Sequence, residues 1–184
     1  MAENTLKTQS DITFGPAGRA ISEDIDSSLL ENFFHHLTME RNASVQYYAM
    51  SLWFKERDLN GFSLFFLNES KDEMNHAYLF SDYLIARGQS VKLHELNRPI
   101  QEWSSMTDLI SFAFKMEADL SSSLQQLYSI AGRSLDNRTS VFLDPIMEMQ
   151  IKSEDEFAHI LGKVKFASEQ PSAILIIDND LIKK

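Results

Sequence analysis

The chain has 184 residues, of which 43 % are hydrophobic, with a formal net charge of −10 and no cysteine. This length fits one domain with a substantial core, and the acidic balance argues against binding to nucleic acid or to anionic membranes. The absence of cysteine excludes disulfides and thiolate-bound metals. No apolar run approaches the length of a membrane span and no hydrophobic leader opens the chain, so we expect a cytoplasmic protein.

The polar residues 1–22 predict an N-terminal extension outside the core, since two glycines and one proline interrupt them. Residues 23–184 predict one all-α domain. The whole chain has only 6 Gly and 4 Pro, which leaves room for long, uninterrupted helices.

A first helix is expected at about residues 24–57, with an aspartate or serine near its start as the cap. Its apolar residues recur at steps of three and four, and this stripe also includes Glu40 and, two turns later, Tyr47. A single glutamate beside an apolar stripe often reaches solvent, and a single tyrosine usually packs in a core. Neither residue therefore identifies a site by itself.

A second helix, expected at about residues 59–87, carries the strongest signal. Glu73 and His76 lie in the middle of its apolar stripe, one turn apart. Burying a carboxylate and an imidazole without partners is costly, and a cation would satisfy both groups. The tight turn between the two helices makes them antiparallel neighbours, and Gly88 suits the position that follows the last helical residues.

Three more helices are expected at about residues 107–136, 138–167 and 172–181, after a connection long enough to cross a bundle. Glu117 is the single carboxylate in the stripe of the third helix, and Gln150 takes the corresponding place in the fourth helix. The short fifth helix has no obvious place in a four-helix core. We therefore expect it to pack against another subunit.

Four helices thus bring polar residues to the middle of their apolar stripes, and these residues are Glu40, Glu73 with His76, Glu117 and Gln150. Di-iron carboxylate bundles use single Glu residues on two helices and Glu-x-x-His on two others. This chain has one complete Glu-x-x-His, and Gln-x-x-Ser at residues 150–153 stands where the second would be. Oxygen ligands with one imidazole suit iron or manganese. The structural alternative is a bundle that tolerates a few border carboxylates.

At these residues the sequence resembles the ferritins, particularly the bacterial non-haem ferritins, over residues 26–181. The resemblance lies in the segments MERNASVQYYAMSLWF, FFLNESKDEMNHAYLF, KMEADL, MQIKSEDEF and ILIIDNDL. It implies a ferritin-like four-helix bundle with a long crossover between the second and third helices and a short fifth helix. It also implies a 24-subunit cage that oxidises Fe(II) with O2 or hydrogen peroxide and stores a ferric mineral.

The resemblance also assigns roles to the polar residues. It implies that Glu40, Glu73 and His76 hold a first iron and that Glu73 bridges to a second iron on Glu117. Gln150 would hydrogen-bond a bound water or oxygen species, and Tyr47 would supply an electron.

Many bacterial members of the family have further acidic residues where this chain has Met149, Lys152 and Ser153. Asp72 alone remains as a ligand for the third iron site of those proteins. We therefore expect that site to be absent or much weakened here, and the second iron to be short of protein ligands.

Other functions and sites remain open. Met74 matches the haem-binding position of bacterioferritins, but those proteins have Glu-x-x-His on the fourth helix, so haem is not expected. A shell subunit with a weakened second iron site is a further alternative, as is a di-iron oxygenase or peroxidase acting on an organic substrate. The C-terminal helix, which suits cage assembly, argues against the oxygenase. Asp136 and Asp144 are candidate pore residues, and the remaining histidines, His35, His36, His94 and His159, are expected at the surface or the border of the core.

Overall fold

A computed structural model of the protein describes residues 12–183, which form five α-helices and one small β-hairpin. The helices are α1 (Ser27–Lys55), α2 (Asn60–Ala86), α3 (Met106–Arg133), α4 (Asn137–Ala167) and α5 (Pro171–Ile182). The hairpin pairs β1 (Thr13–Phe14) with β2 (Ala20–Ile21) in antiparallel orientation. Within the described part of the chain, no helix combines the length and hydrophobicity that crossing a membrane requires.

Helices α1 to α4 form a four-helix bundle with one long crossover, which confirms the predicted fold class. Helix α1 packs against α2 and α3, and α3 packs against α4. The connection from α2 to α3 follows the outside of α1. Asn97 N–H donates to Asn42 Oδ1 at 2.8 Å, and Gln46 exchanges two hydrogen bonds with the backbone of Ile100. Helix α3 consequently begins beside the end of α1, and the two helices run antiparallel.

Side-chain caps determine where three of the helices begin. Asp26 accepts a hydrogen bond from Leu29 N–H, Ser105 from Asp108 N–H, and Asp136 from Thr139 N–H. Each cap satisfies a backbone donor that has no partner inside its helix. The third helix ends at Arg133, before the predicted residue 136, because the chain turns through a positive φ of 58° at Leu135 and Asp136 caps the next helix.

The core has two apolar halves with a polar layer between them. One half, here called the Phe54 cluster, is formed by residues that include Phe54, Phe62, Phe66 and Phe157. The other, the Phe33 cluster, includes Phe33, Phe80, Leu124 and Leu143. Along α1, Glu40 lies between the residues that belong to the Phe33 cluster and those that belong to the Phe54 cluster. Along α2, Glu73 lies between the same two clusters. The polar residues are therefore enclosed by packing on both sides.

Helix α5 packs on its own bundle, against α2 and α4, so the expectation that it packs against another subunit is wrong for its buried face. Ile174 and Ile177 enter the Phe54 cluster. The side chain of Asp178 accepts a hydrogen bond of 2.9 Å from Phe62 N–H, in the first turn of α2. That turn has no side-chain cap of its own, so α5 supplies the missing acceptor. Gly61 permits this approach, because a Cβ there would collide with the Asp178 carbonyl group.

The hairpin lies against the C-terminal end of α2. Ala17 N–H donates to the Gly88 carbonyl oxygen at 3.1 Å. Gly88 has a φ of +75° and lies directly after the C-cap of α2, as the sequence predicted. The Gly88 carbonyl oxygen also lies so close to Gly15 that a Cβ on Gly15 would collide with it. The predicted N-terminal extension is thus a docked hairpin over residues 13–21, and its first eleven residues lie outside the part that the structure describes.

Candidate metal centre

Glu40 on α1 and Glu73 and His76 on α2 converge in the polar layer. One ligand atom of each lies within 4.8 Å of the others. His76 Nδ1 is 3.7 Å from Glu40 Oε2 and 3.6 Å from Glu73 Oε2. Both glutamates are almost fully buried, and neither Oε2 atom has a hydrogen-bond partner. Buried oxygens without partners are costly, and two of them facing one imidazole nitrogen form an arrangement that a cation would complete.

The pairing of α1 with α2 brings these residues together. The two helices are antiparallel, and Ser44 Oγ donates a hydrogen bond of 2.6 Å to the backbone oxygen of Ser70 across them. This contact lies one turn from Glu40 and from Glu73, so it fixes the register of the two helices next to the cluster. The two carboxylates consequently face each other at the same depth.

Glu117 on α3 is fully buried beside this cluster, and both of its oxygens are engaged. The Tyr47 hydroxyl donates to Oε1, and Gln150 Nε2 donates to Oε2 at 2.8 Å. Gln150 also donates to the Glu117 backbone oxygen at 3.2 Å. Tyr47 itself stacks on Phe157, with ring centroids 5.4 Å apart. In this structure Gln150 therefore orients a carboxylate. Its expected hydrogen bond to a bound water or oxygen species stays a prediction.

The charges of Glu40 and Glu73 are coupled. Burial raises the pKa of Glu73, and the charge of Glu40 raises it further. Burial also opposes the ionisation of Glu40, but the adjoining Glu73 carboxyl group and the charge of His36 together lower the pKa of Glu40 below its usual range. These opposite shifts favour one proton shared by the pair. A cation that binds both carboxylates must displace that proton.

The surrounding groups add to the acidity of the centre. Burial, followed by the charges of Glu117 and Glu156, raises the pKa of Glu69 to about 8. Burial also raises the pKa of Glu117, against the opposing effect of its hydrogen bonds. Burial lowers the pKa of His76, but the nearby Glu40 outweighs it, and the net shift is upward. The centre has more acidic groups than its own cations neutralise, which favours the entry of a positive ion.

His36 belongs to this centre, and the expectation that it lies at the surface or border is wrong. It is fully buried, and its Nε2 atom lies 2.8 Å from Glu40 Oε1. Its Nδ1 atom lies 3.0 Å from the hydroxyl oxygen of Ser123 on α3. The sequence contained the signal, because His36 follows Phe33 by three residues and precedes Glu40 by four, which places all three on one face of α1.

The positions that bear on a third iron site are less enclosed. Lys152 is exposed and lies 3.7 Å from Glu148, and Met149 is 40 % exposed. Asp72 is exposed as well, while Ser153 is half-buried. Residues 149–153 include no acidic side chain that could bind an ion there. The weakness of a third site remains a prediction.

A second group of buried polar residues lies at the far end of the Phe33 cluster. Arg87, after α2, forms an ion pair of 3.0 Å with Asp136, which also accepts from the Thr139 hydroxyl at 3.0 Å. Arg87 donates to the Tyr83 hydroxyl at 2.7 Å. Burial opposes the ionisation of Asp136, but the Thr139 N–H and Arg87 lower its pKa. Asp136 is thus a buried cap, and its assignment as a pore residue is wrong. Asp144 accepts a hydrogen bond from the exposed Tyr128 hydroxyl.

The geometry agrees with comparisons to known proteins. Residues 31–167 match the family model described as Ferritin, ferritin-like domain. The chain is 28 % identical over 161 residues to the bacterial non-heme ferritin of Bacteroides fragilis, covering 88 % of this chain and 98 % of that one. It is 25 % identical over 153 residues to the bacterial non-heme ferritin of Escherichia coli, covering 83 % and 93 %. It is 33 % identical over 121 residues to the ferritin-1 heavy chain of Schistosoma mansoni, covering 64 % and 70 %.

Solved structures resemble the whole bundle. An open-pore ferritin from Archaeoglobus fulgidus superposes with a TM-score of 0.83 at 25 % identity, covering 86 % of this chain and 98 % of that one. A variant of PmFTN that was soaked in iron superposes with a TM-score of 0.79 at 30 % identity, covering 83 % and 98 %. The family match at residues 31–167 spans the helices that carry the polar layer.

Proposed function

The chain belongs to the ferritin family, and we propose that it oxidises Fe(II) at a paired site within each subunit and delivers Fe(III) to a mineral inside a cage of 24 subunits. Membership of the family supports a role in iron storage and the binding of iron. The observation that carries the oxidation site is the pair of buried, unpartnered Oε2 atoms on Glu40 and Glu73, with His76 Nδ1 beside them.

In this proposal the two iron positions differ in whether their ligand atoms are already free and correctly placed to bind an ion. Glu40, Glu73 and His76 bind the first ion directly, because their ligand atoms already converge. Glu73 bridges to a second ion on Glu117. Both oxygens of Glu117 hold hydrogen bonds, so the second ion must displace or share at least one of them. We therefore expect the first ion to bind more tightly than the second.

The chemistry follows from the charge of the site. Carboxylates stabilise Fe(III) more than Fe(II), because their interaction grows with the charge of the cation. Two ferrous ions lose one electron each, and O2 takes up those two electrons with two protons to become hydrogen peroxide. Tyr47 keeps its proton in the resting protein, since burial and then the charge of Glu117 raise its pKa well above the usual value. Tyr47 donates its hydrogen bond to Glu117, so an electron that it gives to O2 or peroxide at the second site would leave together with transfer of its phenolic proton to Glu117.

A second candidate function follows from Glu117. Its engaged oxygens, together with Ser153 in place of an acidic residue, favour a shell subunit that binds one ion per centre and oxidises it slowly. Such a subunit would store iron that other routes had oxidised. It would share the fold and cage of the leading proposal, so only the occupancy of the centre distinguishes the two.

An anaerobic titration of the metal-free protein with Fe(II), followed by rapid mixing with O2 and measurement of Fe(III) absorbance, decides between these functions. A fast phase that saturates at two Fe(II) per subunit is the expected result. Saturation at one would favour the shell subunit, and the absence of any fast phase would contradict the oxidation site. Sedimentation of the purified protein tests the cage, because a monomer or dimer would contradict it.

A further inference from the structure

His36 has contacts that none of the roles above explains. We propose that His36 is a positioning residue, which holds one oxygen of Glu40 so that the other oxygen faces the first cation. This inference rests on the proposed function of the cluster formed by Glu40, Glu73 and His76. It assigns to the centre a residue outside the set of direct ligands.

The two oxygens of Glu40 face different partners. Oε1 lies at ion-pair distance, 2.8 Å, from His36 Nε2, although Nε2 makes no regular hydrogen bond. Oε2 lies 3.7 Å from His76 Nδ1 and has no hydrogen-bond partner. A glutamate side chain has several rotatable bonds, and fixing them before the cation arrives lowers the entropic cost of binding. With Oε1 held by His36, Glu40 is directed to bind the ion through Oε2 alone.

His36 is itself held in place by the two helices that face it. Its Nδ1 atom contacts the Ser123 hydroxyl of α3 at 3.0 Å, and its ring packs edge-on against Phe80 of α2 with centroids 4.5 Å apart. The contact with Ser123 fixes the plane of the ring, which keeps Nε2 next to Glu40 Oε1. The ring therefore connects α3 to Glu40.

The geometry separates this role from that of a ligand. His36 contacts Oε1, whereas the three-residue cluster is formed around Oε2, so the two histidines approach Glu40 at opposite oxygens. Residues that orient metal-binding carboxylates typically change metal affinity by about 10- to 100-fold when they are replaced. A loss of that size at the first ion, with the fold unchanged, is the signature of a positioning residue.

The test is a titration of the assembled, metal-free protein with Co2+, in which the visible absorption of bound Co2+ measures the occupancy of the site. His36→Asn retains an amide near Ser123 but is too short to reach Glu40, and we expect it to bind the first ion about tenfold more weakly. His36→Gln places an amide nitrogen close to the position of Nε2, and its affinity should stay within about threefold of the unaltered protein. His159→Gln, at an exposed histidine on α4, is the matched control and should change nothing.

Unchanged affinity in His36→Asn would overturn the inference, as would a His36→Gln protein that binds as weakly as His36→Asn. If His36→Asn fails to fold, Ser123→Ala tests the same contact from its half-buried end, and an unchanged first affinity there would overturn the inference as well. Glu73→Gln distinguishes this result from failure of the proposed function. If that variant binds the first ion normally, the cluster itself is not the site; if it loses the ion while His36→Asn and Ser123→Ala do not, only the positioning role fails.

Discussion

The bundle contains two groups of buried polar residues that are completed in different ways. At the end of the Phe33 cluster, Arg87 and Asp136 cancel each other's charge. Thr139 and Tyr83 add hydrogen bonds there, although Arg87 Nη2 has no partner. In the middle of the bundle, Glu40 and Glu73 have unpartnered oxygens among further acids. Burial alone therefore does not indicate function. The indication is a charge imbalance that the chain does not correct with its own residues.

The largest effect is expected where the balanced group is broken. Arg87→Met leaves the Asp136 carboxylate buried without its cation, which should lower the free energy of unfolding by about 3 kcal/mol. For a chain of this size, that corresponds to a fall of roughly 6–12 °C in the midpoint of thermal unfolding. Calorimetry of metal-free protein measures it.

Arg138→Met is the control for Arg87→Met, because Arg138 forms an exposed ion pair with Glu23. Exposed pairs contribute about 0–1 kcal/mol, so this variant should unfold close to the temperature of the unaltered protein. Equal effects of the two substitutions would show that the Arg87 group is not the structural counterpart of the metal centre.

The opposite response is expected where the unbalanced group is altered. Glu73→Gln resembles the protonated Glu73, so the metal-free protein should keep its stability or gain slightly. Binding of the first cation should weaken by about 100-fold, since a bridging carboxylate is lost. Rapid mixing with O2 should show a matching loss of the fast phase. Glu148→Gln, on the exposed face of α4, should behave as the unaltered protein; a metal-free Glu73→Gln protein that is strongly destabilised would contradict the comparison.

The two groups should also differ in the sign of their pH dependence. The pKa of Glu69 is raised to about 8, so the folded metal-free protein holds more protons than the unfolded chain between the unfolded pKa near 4.5 and pH 8. Stability should therefore fall as pH rises through this window, by on the order of 2 kcal/mol because partial exposure screens the group. The pKa of Asp136 is lowered, so its contribution is present above the unfolded pKa and is lost as pH falls through the folded value.

Thermal unfolding of metal-free protein between pH 3 and pH 9 measures both slopes. Glu69→Gln should flatten the slope between pH 5 and pH 8 while leaving the acid limb in place. Saturating Co2+ should also reduce the loss of stability at high pH, because the ion neutralises the deprotonated acids. A metal-free protein whose stability rises steadily from pH 5 to pH 8 would contradict the assignment of uncompensated acids to the centre.

The smallest effect concerns the second ion. Tyr47→Phe removes the hydroxyl that engages Glu117 Oε1, so the second cation no longer has to displace that hydrogen bond. We expect the second Co2+ to bind about threefold more tightly, in line with the net value of a single hydrogen bond. The first affinity should remain unchanged. A second affinity that falls would indicate that Tyr47 prepares Glu117 for the ion.

Much of this arrangement follows from local sequence rules. Steps of three and four residues placed Glu40, Glu73, Glu117 and Gln150 on buried faces, and the short turn after α1 made α1 and α2 antiparallel, which brings Glu40 to Glu73. His36 has the same helical spacing to Phe33, but a histidine one turn from a charged residue such as Glu40 would fit a position at the border of the core equally well. Its burial depends on Ser123 of α3, which is 87 residues away.

The docking of α5 could not be read from the sequence for a related reason. It depends on a backbone donor at Phe62 and on the absence of a side chain at Gly61, both far from Asp178 along the chain. The amphipathic pattern of α5 shows that one face is buried, but gives no information about which surface covers it. The hairpin over residues 13–21 likewise depends on Gly88, which the sequence indicated only as a helix end.

The placement of α5 also sets an order in which the two apolar halves can be completed during synthesis. The Phe33 cluster takes its buried residues from positions up to Ile146, whereas the Phe54 cluster also requires Ile174 and Ile177. A ribosome makes the chain from its N-terminus, so the first cluster has all its parts before the second. Until α5 emerges, the aromatic residues around Phe62 are not covered by Ile174 and Ile177. The nascent chain then exposes an apolar surface, prone to aggregation, at the start of α2.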